Sequence, residues 1–215
     1  MRVSSPVGTT DRGPGADSPA TRQPSRAPRL LLQNAAQLPR IITATFAIPA
    51  PPHDNVDVPD VTIYQALPAQ IPQVRELFLE YAASLGFSLC FQNFDQELAA
   101  LPGDYAPPQG RLLLAECEAQ LAGCIALHQL DPAICEMKRL YLRPNFRGKG
   151  IGRKLAENLI TEARQIGYRI MRLDTVEPVM KDAIVMYRKL GFHEVPPYRP
   201  NPIPGALYME KNLQA

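Results

Sequence analysis

The densest run of chemically useful residues is Arg147-Gly-Lys-Gly-Ile-Gly-Arg153, followed directly by Lys154. Glycines at 148, 150 and 152 let a backbone turn tightly and bring its N–H groups close to a ligand. The run leaves a strand ending Leu140-Tyr141-Leu142 and enters a helix. That helix start offers unpaired N–H donors and the positive end of a dipole. Arg147, Lys149, Arg153 and Lys154 add full positive charge. The chemistry this suits is a pyrophosphate cradle. Two commoner cradles fail on the residues. A dinucleotide fingerprint, G-x-G-x-x-G, needs glycine where Arg153 stands, and a P-loop needs Ser or Thr after Gly148-Lys149, where Gly150 stands. On glycines alone, a ligand-free basic turn stays open.

The elements that must position this turn follow from periodicity. Val61–Leu67 alternates as a strand and ends at Pro68, and Ile71, Val74, Leu77, Phe78, Tyr81 and Leu85 keep helical spacing up to Gly86. A short helix is expected near Phe94–Leu101. Arg111–Cys117 and Leu121–Gln129 read as a hairpin turning at Glu118-Ala-Gln120, and Ile134–Leu142 as a further strand. A helix from about Gly150 to Ile166 carries Ile151, Leu155, Leu159, Ala163 and Ile166 on its inner face. Tyr168–Thr175 is the next strand. Pro178 suits an early helix position, and the helix that follows stops at Gly191. Phe192–Val195 and Ala206–Lys211 complete the pattern around a proline-rich loop, 196–204. Strands alternating with helices imply a mixed α/β sheet covered by helices.

Composition sets the outer bounds. The 215 residues carry a net charge of +2, too little for a nucleic-acid partner held by bulk charge. No apolar run reaches the roughly 18 residues of a membrane span. The cysteines at 90, 117, 124 and 135 form no CxxC pair, and with only three histidines no metal set is expected. Reduced thiols in a cytoplasmic protein are the expectation. Residues 1–55 are a Pro/Arg-rich tail: within 1–53 six arginines face two acids, leaving the remainder at −2. Few large apolar residues make disorder the default there. A transit peptide and an over-long start stay open as alternatives. The domain proper is expected over 56–215.

Two motifs together resemble the GNAT superfamily of acetyl-coenzyme A-dependent N-acetyltransferases. Its phosphate-binding signature, Gln/Arg-x-x-Gly-x-Gly/Ala, is met by Arg147, Gly150 and Gly152. Its later Tyr-x-x-x-Gly-Phe motif is met by Tyr187, Gly191 and Phe192. The resemblance covers about 61–213. It implies a six- or seven-stranded mixed sheet splayed between its fourth and fifth strands, here Ile134–Leu142 and Tyr168–Thr175. It also implies that the backbone of Leu140, Tyr141 and Leu142 pairs with the pantetheine arm of acetyl-coenzyme A. The amides of Gly148, Lys149, Gly150, Ile151, Gly152 and Arg153 would hold the pyrophosphate beside Arg147, and Tyr187 would protonate the departing thiolate. Met180 departs from the family, whose members often carry Asn there, and that puts one coenzyme contact in doubt.

An ammonium cannot attack a thioester until it loses a proton. Glu136 stands where some members of the family place a catalytic glutamate. By alternation it shares a face with Lys138 and Leu140, and apolar burial would raise its pKa into a useful range. An ion pair with Lys138 or Arg139 is the competing reading. Tyr187 could equally be a core aromatic. His128 reads better as a satisfied histidine than as a relay, and Cys135 points away from Glu136. Tyr198 and Arg199, in the 196–204 loop, either wall the acceptor site or brace the last hairpin.

What the resemblance implies is an N-acetyltransferase with acetyl-coenzyme A as co-substrate and no metal, acting by direct attack of a primary amine. A small-molecule amine is the first choice of acceptor. A protein N-terminus or lysine is the alternative, and a catalytically silent acyl-coenzyme A-binding module lies outside the enzyme class. No nucleic acid or membrane partner is expected, and a homodimer stays open.

Overall fold

The structure, a computed structural model, describes residues 60–214. The expected tail of 1–55 therefore lies outside the described residues.

The elements run β1 (Val61–Gln65), α1 (Ile71–Ser84), α2 (Phe94–Ala100), β2 (Arg111–Cys117), β3 (Gln120–Asp131), β4 (Ile134–Leu142), α3 (Ile151–Ile166), β5 (Ile170–Val176), α4 (Lys181–Lys189), β6 (His193–Val195) and β7 (Ala206–Asn212). They form a seven-stranded sheet in the order β1-β2-β3-β4-β5-β7-β6. All neighbours are antiparallel except β4 and β5.

Each face of the sheet is covered by the helices whose apolar stripes the sequence predicts. On one side α3 buries Ile151, Leu155, Ala156, Leu159, Ile160 and Ala163 against Ile125, Leu127, Met137 and Met171, with Tyr187 of α4 in the same cluster. On the other, Val74, Leu77 and Phe78 of α1 and Phe94 and Leu98 of α2 meet Leu112, Leu114 and Tyr141. A fully buried leucine such as Leu155 is worth roughly 2–5 kcal/mol against truncation to alanine.

Three local features differ from simple periodicity. The β2–β3 connection is two residues, Glu118 and Ala119, both at positive φ (53° and 59°). That is the mirror-image turn matching the twist of its strands. Pro178 lies in the turn before α4 rather than inside the helix, which begins three residues later at Lys181. Here the amides of Val179 and Met180 both return to the Val176 carbonyl, so the chain closes a turn before it can start a helix.

The third feature is a β-bulge. Ala126 faces Lys138 and Cys124 faces Tyr141, so Ile125 alone opposes both Arg139 and Leu140, with Arg139 at φ 56°. An extra residue resets the alternation. Lys138 and Arg139 therefore share a face, and Leu140 packs with the α3-side core. The expectation that Leu140 lies beside Glu136 is corrected by this one residue. Gly123, on β3 opposite Leu142, has no room for a side chain, since a Cβ there would collide with the Tyr141 carbonyl oxygen.

Candidate active site

The parallel pairing of β4 with β5 is short. It joins Ile134–Glu136 to Ile170–Arg172 and goes no further. Beyond it the strands part, and Met137–Leu142 has no strand neighbour on that side. A free strand edge presents unpaired N–H and C=O groups that an extended chain can satisfy. A cavity of about 540 Å³ fills the gap, with Leu140, Tyr141, Leu142 and Arg147 on the β4 side and Leu173, Asp174 and Thr175 on the β5 side. Tyr187 and Met180 border it, and Phe87, Leu89, Phe91 and Gln92, from the segment between α1 and α2, form the opposite wall.

At the end of β4, Arg143 ties the strand to α1. Its guanidinium donates to Glu80 at 2.7 Å and to Glu76 at 2.6 Å. Arg147 folds back to donate from Nε to the Leu142 carbonyl at 3.0 Å. The turn then uses its glycines: Gly148 and Gly150 both sit at φ 76°, with open space where a Cβ would be. Gly150 caps α3 without any side-chain hydrogen bond. Among the described residues the amides from Gly148 to Arg153 have no partner, and the next amide, of Lys154, bonds to the Gly150 carbonyl at 3.1 Å. Six consecutive donors at a helix start fit a pyrophosphate. The side chains contribute less. Ile151 is buried in the core, so only its amide is available. Lys149 stacks over Phe146, and Arg153 pairs with Glu157 at 2.7 Å.

Tyr187 is 7% exposed and meets Phe192 edge to face. Burial, with Tyr81 and Asp174 nearby, pushes its pKa well above the ordinary phenol value. Its hydroxyl has no protein partner among the described residues, yet the side chain lines the cavity. Met180, where the family often has Asn, borders the same cavity and accepts from the Thr175 hydroxyl at 3.2 Å.

Glu136 lies elsewhere. It is fully buried and lines neither of the cavities beside it. His128 Nε2 lies 2.7 Å from Oε2, the Tyr198 hydroxyl donates to Oε1 at 2.7 Å, and Arg199 Nη1 donates to Oε2 at 3.1 Å. Lys138 Nζ stands 3.6 Å away. Burial alone would raise its pKa. The His128 hydrogen bond and the charges of Lys138 and Arg199 outweigh it and pull the carboxyl down to about 2. The expected upward shift is thus reversed, because the neighbours on this face are cations and not apolar groups. Arg199 also pairs with Asp174, which accepts from Asn201 at 2.9 Å.

The structure thus brings Leu140, Tyr141, Leu142, Arg147 and Tyr187 to one cavity, continues from Arg147 into the Gly148–Arg153 turn, and keeps Glu136 behind a layer of bases. Tyr198 and Arg199 tie the 196–204 loop to Glu136 of β4 and Asp174 of β5, and Tyr208 of β7 donates to the Arg199 carbonyl at 2.9 Å. Cys135 faces the α3-side core, where burial lifts its thiol to about 12. Gln92 and Asp174 were missed by sequence reasoning. Asp174 alternates with Met171 and Leu173 on a strand and was visible in principle, whereas Gln92 sits in an irregular segment with no periodic signal.

Residues 71–192 match the acetyltransferase (GNAT) family. An uncharacterized N-acetyltransferase of Schizosaccharomyces pombe is 41% identical over 149 residues, spanning 68% of this chain and 91% of that protein. The chain belongs to the GNAT acetyltransferase family. A protein of Azospirillum brasilense described as an IAA acetyltransferase is 34% identical over 159 residues, covering 73% of this chain and all of that one. Among solved structures, the putative acetyltransferase yncA of Salmonella typhimurium, determined with its cofactor acetyl-CoA, aligns with a TM-score of 0.54. It is 22% identical and covers 72% of this chain and 94% of its own. The splayed seven-stranded sheet is the family fold, and the protein is an acyltransferase that uses acetyl-coenzyme A.

Proposed function

We propose that this GNAT acetyltransferase transfers the acetyl group to the primary amine of a small molecule by direct attack. The observation that carries the reading is that the free β4 edge and Tyr187 line one cavity, so that an acyl group carried along that edge meets the phenol in a confined space. The β4 edge would align the pantetheine arm, and the unpaired amides of 148–153 would hold the pyrophosphate. Attack by a neutral amine breaks the C–S bond, and the nitrogen must lose a proton as the sulfur gains one. Tyr187 remains a protonated phenol and donates a hydrogen bond to the sulfur as charge develops there. Full transfer from a phenol to a thiolate runs uphill, since an ordinary thiol has a pKa of about 8.5. The net proton therefore comes from the amine.

Glu136 serves this chemistry as a positioning residue. A buried carboxylate held near pKa 2 is a weak base, and its oxygens are already taken by the donors of His128, Tyr198 and Arg199. Direct attack is supported by the thiols as well: no cysteine lines this cavity among the described residues, and Cys135 faces the other core. The test is coenzyme A thiol release, measured over a panel of small amines, polyamines and peptides. Acceptor-dependent release with small amines is expected. Release only with peptides would transfer the reading to a protein acetyltransferase, and no acceptor-dependent release would end it.

A further inference from the structure

A second cavity, of about 380 Å³, adjoins the first, and the two share Gln92 and Lys138 as their common wall. Its lining mixes polar and apolar surface, and three bases stand in it: His128, Lys138 and Arg199. These are the same three that converge on Glu136, which is itself sealed behind them. The buried carboxylate therefore acts as an anchor, fixing the three bases along the wall of the cavity they line. Lys138 shows this best. Its side chain is only 9% exposed, and of its three ammonium protons one is donated to Gln92 Oε1 at 3.3 Å, while Glu136 Oε2 at 3.6 Å is an ion-pair partner rather than an acceptor. The acids on the cavity wall offer it no further partner. Both oxygens of Glu97 are taken by Arg139, and one of them also by the Tyr105 hydroxyl, and Asp104 is exposed.

Charge sets the class of ligand. Lys138 and Arg199 are balanced by Glu136 and Asp174, and Glu97 by Arg139, which leaves the solvent-exposed Asp104 as the remaining charge on the wall. A singly charged carboxylate can accept from a spare Lys138 proton, whereas a doubly charged group brings a second negative charge with no free cation to meet it. A monoanion fits this balance and a phosphate dianion does not.

We propose that the second cavity binds a carboxylate on the acceptor, so that the substrates are small amino carboxylates whose amine reaches the first cavity across the Gln92–Lys138 wall. This rests on the reading of the acceptor as a small-molecule amine. The experiment compares α- and ω-amino acids with their carboxamides and with aminoalkyl phosphates, rates being corrected for the fraction of free amine. The amino acid is expected to exceed its carboxamide at least tenfold in kcat/KM. Lys138→Met should cut that ratio at least tenfold, and His128→Gln, which keeps a donor toward Glu136, gives an independent second variant should Lys138→Met lose its fold. Equal rates for acid and amide in the unaltered protein overturn the proposal, as does a preference for the phosphates. An unchanged ratio in either folded variant also overturns it. Calorimetry of the same compounds on the coenzyme A-loaded protein separates the two levels of inference. Carboxylates that bind without turnover would refute the transfer reading and uphold the cavity, and absence of binding by any carboxylate would refute the cavity.

Discussion

The coenzyme turn and Glu136 with its cluster lie beyond one end and near the other end of β4, and are built by opposite means. Between Gly148 and Arg153 the working groups are backbone amides left unpaired at a helix start, while the side chains point outward or into the core. Around Glu136 the working groups are side chains from β3, β4 and the 196–204 loop, held together by a shared carboxylate that is itself fully buried. Backbone donors at a helix end need only local chain geometry, so the turn stands ready before any ligand arrives. A buried charge cluster is held in place only by its complete set of partners. The first should tolerate loss of any one side chain. The second should tolerate almost none.

The largest effect should therefore come from removing the anchor. Glu136→Leu leaves three buried or half-buried bases without their shared acceptor, and breaking such a pair costs about 3–5 kcal/mol. Denaturant unfolding should show a loss of that order with an unchanged m-value. Glu136→Gln keeps the shape and some of the hydrogen bonds. If Glu136 positions the bases rather than taking the proton, this variant should raise the acceptor KM more than it lowers kcat. A turnover slowed by roughly two to four orders of magnitude, the range of general-base catalysis, would restore it as the base.

Tyr187→Phe is the contrasting case, a group that the site uses and the fold does not need. Its hydroxyl has no protein partner among the described residues, so stability should change little. Losing a donor to developing charge slows turnover by roughly two to three orders of magnitude. A deficit that vanished at high pH would argue against this role, because raising the pH supplies no donor to the sulfur.

Acid provides a milder break of the cluster. Glu136 has its folded pKa depressed from 4.5 to about 2. A group of this kind stabilises the protein above its unfolded pKa, and the stabilisation is lost as pH falls from about 4.5 toward 2. Glu97, also lowered, adds in the same direction. Stability measured across that window should fall by a few kcal/mol, and Glu136→Gln should flatten the slope. An equally steep acid limb in the variant would place the titrating groups elsewhere.

The same contrast explains what the sequence disclosed. Gly148, Gly150 and Gly152 before a helix, and Tyr187-x-x-x-Gly-Phe closing one, are local patterns, and the elements they require formed within a few residues of where periodicity put them. The Glu136 cluster joins positions 128, 136, 138, 198 and 199, and no spacing rule links β3 to a proline-rich loop far down the chain. The placement of β7 between β5 and β6 brings that loop back to β4, and that order is a tertiary fact. The bulge at Arg139 and Leu140 hid the rest. Strict alternation put Leu140 beside Glu136, and one inserted residue turned it to the opposite core; the downward pKa shift comes from His128, Lys138 and Arg199, of which only Lys138 shares a strand with Glu136.

In the turn, Gly150→Asp tests the backbone itself. The space there is open, so the variant should fold, at a strain of roughly 1–2 kcal/mol for a side chain at positive φ. Its carboxylate would stand where the pyrophosphate is held. Acetyl-coenzyme A affinity by calorimetry should fall at least tenfold, about 1.4 kcal/mol. Unchanged affinity in the folded variant would remove the cradle.

The smallest effect should come from the exposed charges of the same turn. Arg153 spends its Nε–H on Glu157, in a pair that is about half exposed on both sides, and such pairs contribute about 0–1 kcal/mol. A charge near a helix start acts on a phosphate through screened solvent, so its removal should also cost well under the tenfold expected of Gly150→Asp. Arg153→Ala should weaken acetyl-coenzyme A binding by roughly two- to fivefold, within that same 0–1 kcal/mol range. The difference from the unaltered protein should shrink as salt rises, because the Debye length falls from about 10 Å at 0.1 M to about 3 Å at 1 M. The Gly150→Asp deficit, set by occupied space as well as charge, should persist at the higher salt. If Arg153→Ala instead cost as much as Gly150→Asp, and at every salt concentration, the pyrophosphate would be held by that guanidinium. The turn would then be a side-chain site like the Glu136 cluster, and the contrast between the two ends of β4 would collapse.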